Sequence, residues 1–314
     1  MMERRPLGRT GIDISVLGLG AHLFPAQAGS YYPGFYGRHF LESGAPAARR
    51  TVVERAVESG INLFASDFDF EAAALGRVVR EMNIRERIVL TAVVDFRLRP
   101  DEPVDWPGLE KAIDRMLTRL GTDRLDLPQI RVSNWYLKEG VLGDLVEGLE
   151  RLRAKGKITA PAFYSGDDEI EVLWAGLERG WFPVVMRAFG LLNPTPASRL
   201  LPSVVRARAG FIGFVPFQKG WLFDCGREAG LPGSDTAGAG LGWVLDQAGV
   251  TGVLFGASGP DEVTENVRAV SGRSAAEARS VLDRLTRTSA YDRFLSEVRR
   301  AAPDLAFDWR GGGA

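Results

Sequence analysis

The chain has 314 residues with 39 Lys+Arg against 40 Asp+Glu, a formal net charge of −1. That length suits one large α/β domain or two small ones, and the balanced charge removes the electrostatic case for nucleic-acid binding. A single cysteine, Cys225, excludes a disulfide framework and any zinc site built on paired cysteines, and two histidines, His22 and His39, exclude a His-rich metal centre.

The first residues, Met1–Pro6, carry no apolar core after their charges, and no run of about 18 apolar residues exists. The expectation is a cytoplasmic protein with no membrane partner. Arg5-Pro-Leu-Gly-Arg-Thr-Gly11 and the following Ile12-Asp-Ile14 read as a small hairpin able to plug the base of a barrel. Short apolar runs then recur about every 30 residues, at 15–20, 61–65, 88–94, 125–131, 159–164, 184–188, 211–215 and 252–255. Runs of this kind suit strands buried on both faces. Helical patterns at 47–59, 109–120, 140–154, 170–179 and 241–248 alternate with them. Eight such units predict an α/β fold, a (β/α)₈ TIM barrel with an N-terminal hairpin plug and extra C-terminal helices, rather than an open sheet. Gly18-Leu-Gly20 is followed by no third glycine at the right spacing, which disfavours a Rossmann domain.

A single barrel domain over 1–302 is expected. Residues 23–46 form a long loop with Tyr31, Tyr32, Phe35, Tyr36 and Phe40, either an aromatic wall over a pocket or a packing surface. Residues 274–300 read as a helical extension, and 303–314 as a flexible tail.

The sequence resembles the aldo-keto reductase family over roughly residues 4–270. The matching stretches are Arg5–Gly11, Val16-Leu-Gly-Leu-Gly20, Glu58-Ser-Gly-Ile-Asn-Leu-Phe64, Arg119-Leu-Gly-Thr-Asp-Arg-Leu-Asp-Leu127, Gly156-Lys-Ile158, Leu191-Leu-Asn193 and Gly256-Ala-Ser258 with Glu265-Asn266. The resemblance implies a (β/α)₈ barrel that binds NADP(H) in an extended pose and reduces aldehydes or ketones. It also implies an Asp, Tyr, Lys and His tetrad, in which the Tyr protonates the carbonyl oxygen and the Lys–Asp pair lowers its pKa. At the matching positions stand Ala65, Phe70, Val93 and Arg131. No lysine lies before Lys111, so the missing ammonium does not depend on alignment. Losing a general acid typically costs about 10²–10⁴-fold, and carbonyl reduction by the family's route is not expected.

The cofactor positions are altered unevenly. The amide-binding Ser-Asn is Tyr164-Ser165, the Gln is Met186, and the strand end that stacks on the nicotinamide is Phe214-Val215. Phe214 keeps an aromatic face. Gly256, Ala257, Ser258, Glu262, Glu265 and Asn266 resemble the segment around the adenosine phosphate, so NADP(H) stays possible, against a plain strand-to-helix turn. Asp261 and Glu262 set negative charge beside that segment, and Lys219 is a further phosphate contact to consider.

Arg131, at the end of a barrel strand, suits a carboxylate or phosphate. It could instead pair with Asp67, Asp69 or Asp95. Asp67, Asp69, Arg131, Tyr164 and His22 are the candidate catalytic residues. Three functions follow. The first is a repurposed non-redox enzyme (cyclase, dehydratase, lyase or isomerase) acting on a small, anionic metabolite. The second is an NADP(H)-dependent oxidoreductase with a displaced proton donor. The third is a non-catalytic binding or regulatory pseudoenzyme. The sequence leaves the substrate and the oligomeric state open.

Overall fold

The computed structural model describes residues 2–20, 46–96, 98, 104–138, 140–166, 168–271, 275–301 and 307–311. An antiparallel hairpin, β1 (Arg4–Pro6) and β2 (Asp13–Ser15), precedes the parallel strands β3 (Leu17–Leu19), β4 (Leu63–Ser66), β5 (Val89–Val93), β6 (Leu127–Val132), β7 (Ala162–Ser165), β8 (Val184–Ala188), β9 (Gly210–Phe214) and β10 (Gly252–Phe255). The eight close into a barrel in the order β10-β3-β4-β5-β6-β7-β8-β9. The helices are α1 (Pro46–Glu58), α2 (Asp69–Glu81), α3 (Trp106–Leu120), α4 (Val141–Ala154), α5 (Glu171–Glu178), α6 (Thr195–Arg199), α7 (Leu201–Ala207), α8 (Trp221–Glu228), α9 (Gly233–Leu245), α10 (Pro260–Val270), α11 (Ala275–Leu285) and α12 (Ser289–Ala301). This is the (β/α)₈ barrel with hairpin and C-terminal helices that the sequence implied.

The strands alternate between two cores. Leu63, Val89, Leu127, Val184, Ile212 and Leu254 point inward and meet Leu7 and Ile14 of the hairpin. Each such fully buried side chain contributes about 1.5–3 kcal/mol. Intervening residues such as Phe64, Leu90 and Phe163 pack outward in the larger core shared with the helices. Helix α3 shows how sequence sets an element. Asp105 accepts from the Gly108 N–H at 2.9 Å, Leu109, Ile113, Met116 and Leu120 form the buried face, and Gly121 ends the helix at φ +66°. A side-chain cap of this kind is worth about 1 kcal/mol.

The base of the barrel is fastened. Leu7 is fully buried, and next to it Gly8 sits at φ +56° with the Gly210 N only 2.3 Å from where a Cβ would stand. Arg5 Nη1 donates to Leu245 O and Val250 O, and the Ser15 N–H donates to Asn62 Oδ1. Asp126, within the stretch that carries much of the family resemblance, accepts from the Leu90 N–H and pairs with Arg85 at 3.0 Å and Arg124 at 3.1 Å. That motif is a seam at the barrel base.

A second apolar core joins α8, α9, α11 and α12 around Trp221, Leu222, Leu282 and Phe294. The last described segment docks on it. Trp309 donates its backbone N–H to Tyr291 Oη and its Nε1–H to Leu191 O at 2.7 Å, and Arg310 pairs with Asp292 at 2.7 Å. Residues 307–311, expected to be a flexible tail, are therefore anchored by an indole and a guanidinium, a signal the glycine-rich end concealed. The aromatic loop 23–46 lies outside the described residues apart from Pro46, the first residue of α1. No helix among the described residues is long and apolar enough to cross a membrane, and no group of three or more His, Cys, Asp or Glu there could hold a metal ion.

Candidate functional site at the barrel mouth

The C-terminal strand ends form the face on which such barrels carry function. Strand alternation decides which residues look into it. In β4, Leu63 and Ala65 face inward, and Ala65 is 4% exposed. In β5, the alternation from Val89 through Thr91 brings Val93 to the same face, opposite Gln129 in register. In β6, the alternation from Leu127 through Gln129 brings Arg131 inward at the mouth. Arg131 is paired in register with Tyr164 of β7. Parallel neighbours lie about 4.8 Å apart, so the two side chains leave adjacent backbone positions on the same face of the sheet. Tyr164 and Phe214, the latter at the end of β9, are half-buried against the barrel interior.

The partner of Arg131 is an acid from the next loop. Arg131 Nη2 lies 4.0 Å from Glu169 Oε2. Glu169 Oε1 accepts from the Ser133 hydroxyl and from the Asn134 N–H. Asn134 in turn accepts at Oδ1 from the Val172 N–H, the second residue of α5, and donates from Nδ2 to Glu171. Glu171 is held below the usual carboxylate range, first by its own backbone N–H and then by Asn134. Beneath this network Arg187, only 4% exposed, donates from Nη1 to Ser165 O, Ser165 Oγ and Gly166 O. It sits within β8 and braces the start of the β7–α5 loop.

The alternative in which Arg131 pairs with Asp67, Asp69 or Asp95 is thus corrected in its partner, which is Glu169. Asp69 opens α2, and its carboxylate lies 3.6 Å from Arg119 and 3.9 Å from Arg115 on α3. Asp95 is strongly exposed and lies 3.9 Å from the same Arg115. A helix start turns Asp69 toward its neighbouring helix, so the structure does not gather it with Arg131. Asp67, half-buried, follows β4 directly, and its N–H donates to the buried Glu71. His22 lies outside the described residues, and Phe70 is in α2. The sequence reading missed Glu169 and Ser133. The signal was the acidic stretch ending at Glu169, one loop beyond the strand beside Arg131.

The dinucleotide positions fit the cofactor poorly. Met186 is buried and apolar, without a donor for an amide. Ser165 Oγ is engaged by Arg187 and Gly166 O. At the turn before α10, Gly256 and Ser258 are exposed and Ala257 is buried. The Ser258 N–H donates to Glu262 Oε2 at 2.7 Å. A backbone donor that could meet a phosphate is thus taken by the chain's own carboxylate. Glu265 is exposed and Asn266 is 6% exposed on the same helix. Phe214 alone retains the shape of a ring-stacking surface. Lys219 lies in a tight turn after β9 in which Val215, Gln218 and Lys219 all adopt positive φ, a costly arrangement for a β-branched valine.

No family model matches the chain. Among solved structures, the aldo-keto reductase AKR11C1 from Bacillus halodurans matches in its holo form with a TM-score of 0.70 at 20% identity, covering 91% of this chain and 96% of that one. Its apo form matches with a TM-score of 0.67 at the same identity and coverage. At that sequence distance the likeness is one of architecture: the chain has the fold of the aldo-keto reductases.

Proposed function

We propose that the chain is a divergent member of the aldo-keto reductase family that does not reduce carbonyls and instead carries out non-redox acid–base chemistry on a small carboxylate-bearing metabolite. The observation that carries this reading is the register pairing of Arg131 with Tyr164 at the ends of β6 and β7, in a barrel whose inward positions at the ends of β4 and β5 are Ala65 and Val93, which cannot ionise. Arg131 supplies a planar double donor for a carboxylate. Tyr164 supplies a phenol O–H as the proton donor. Asp67, at the end of β4, supplies the accepting carboxylate. In such a step a proton leaves carbon for the carboxylate and another arrives from the phenol. The substrate is isomerised or loses a leaving group, and no electrons pass to a cofactor.

An NADP(H)-dependent oxidoreductase using Tyr164 as a displaced acid is the second reading. It is supported by Phe214 and weakened by the engaged Ser258 N–H.

Two measurements test the proposal. NADPH with a panel of simple aldehydes and ketones is expected to give no turnover; robust reduction of any of them overturns it. A panel of small carboxylates, screened by thermal shift, is expected to yield at least one stabilising ligand whose effect vanishes in Arg131→Ala. Equal stabilisation of that variant by every hit removes the anion anchor.

A further inference from the structure

Outside the barrel, a cleft of about 430 Å³ opens between α9, α11 and the anchored C-terminal segment. Its volume lies in the range of small-molecule sites. Three aromatic residues line it: Trp243 of α9, and Phe307 and Trp309 of the C-terminal segment. They meet edge to face, Trp243 with Trp309 at 5.9 Å and 90°, and Phe307 with Trp309 at 5.0 Å and 77°. In an edge-to-face pair only one of the two rings spends a face on its neighbour's edge, and the negative face of an indole attracts cations. At this cleft the fold makes the contact itself, with the Arg279 guanidinium 5.8 Å over the Trp309 ring.

Two charged residues line the cleft, Asp246 and Arg279. Asp246 lines it, is exposed, and has no cation within ion-pair distance among the described residues. It is also the C-cap of α9, where the carbonyl end of the helix adds partial negative charge. Arg279, the cation at the rim, is already shared between Trp309 and Asp283, 3.6 Å away. Aromatic faces, an unneutralised carboxylate and a helix C-terminus together select a positive ligand with an apolar body.

We infer that this cleft is a second binding site, distinct from the barrel mouth, for a small organic cation of the alkylammonium type. The ligand's charge would lie against Asp246 and its apolar groups against Trp243 and Trp309. The site does not depend on the function proposed for the mouth.

The test uses the full chain and choline as probe, with 3,3-dimethylbutan-1-ol as its uncharged counterpart, read by tryptophan fluorescence and isothermal calorimetry. Choline is expected to give a saturable signal and the neutral alcohol none. Asp246→Asn, an exposed and nearly isosteric change, is expected to weaken choline by about tenfold without altering the melting temperature. The inference is overturned by the absence of saturation with choline, by equal binding of the alcohol, or by unchanged affinity in the Asn variant. Arg131→Ala serves as the control and is expected to leave choline binding intact; loss of binding there assigns the signal to the mouth and overturns the second site.

Discussion

The two halves of the barrel mouth are built differently. On the β4–β5 side the inward positions are Ala65 and Val93, small and apolar, above Leu63 and Val89. On the β6–β8 side the strand ends carry Arg131, Tyr164 and Arg187, tied to the loops through Glu169, Ser133 and Asn134. Within the strands, the first half offers only apolar inward side chains, and its one acid, Asp67, stands just beyond β4. The other half carries charge and a phenol within β6 and β7 themselves, with Arg187 of β8 bracing them from outside the barrel interior. A ligand held by Arg131 would face the apolar positions of β4 and β5 across the mouth.

The sharpest way to break this contrast is to remove the brace beneath the polar half. Arg187→Met removes the buried donor to Ser165 O and Ser165 Oγ and one of three donors to Gly166 O, and should lower the free energy of unfolding by about 3 kcal/mol; a change inside the error of urea denaturation would mean the polar half carries itself. In the apolar half, Ala65→Asp should cost about 2 kcal/mol at pH 7. Burial raises the new carboxyl's pKa above its unfolded value near 3.9. The penalty should therefore be absent below that value and grow as pH rises through the folded pKa, and pH-resolved melting curves would show whether it does. Glu169→Gln sharpens the contrast by taking the competing carboxylate from Arg131. It should cost about 1 kcal/mol of stability while tightening any carboxylate ligand found for the mouth, and weaker binding would place Glu169 among the groups that help the ligand.

The smallest effect lies away from the mouth. Glu228 is lowered to about 2, first by Arg293 and then by the Ala290 N–H and Ser289 at the start of α12. Its contribution is complete above the ordinary carboxylate pKa and is lost as pH falls toward about 2. Glu228→Gln should flatten that acid limb, and identical limbs for parent and variant would dissociate Glu228 from it.

The barrel was legible because buried parallel strands write themselves as short apolar runs. The runs at 184–188 and 252–255 coincide with β8 and β10. Helix α9 was only half legible. Its first turns are rich in glycine, which propensity penalises, yet at Gly240 a Cβ would stand 2.6 Å from Leu222 of α8, so packing between helices outweighs propensity there. At the mouth, Arg131 was readable because a strand end fixes where a side chain points. Asp69 was not, because a one-residue difference in where a helix begins sends a carboxylate to the outer layer. Glu169 was hidden for a related reason: its partner lies across a loop, and no periodicity connects them. Trp309 was masked by the low-complexity residues around it.

Leu7 and the hairpin cork the lower rim of the cylinder. With the inward side chains packed on that cork, the interior holds no passage, and a ligand of the proposed site would reach Arg131 and leave it by the mouth face alone. Under the function proposed for the mouth, an accumulating end product would then compete directly with fresh starting material for the same opening.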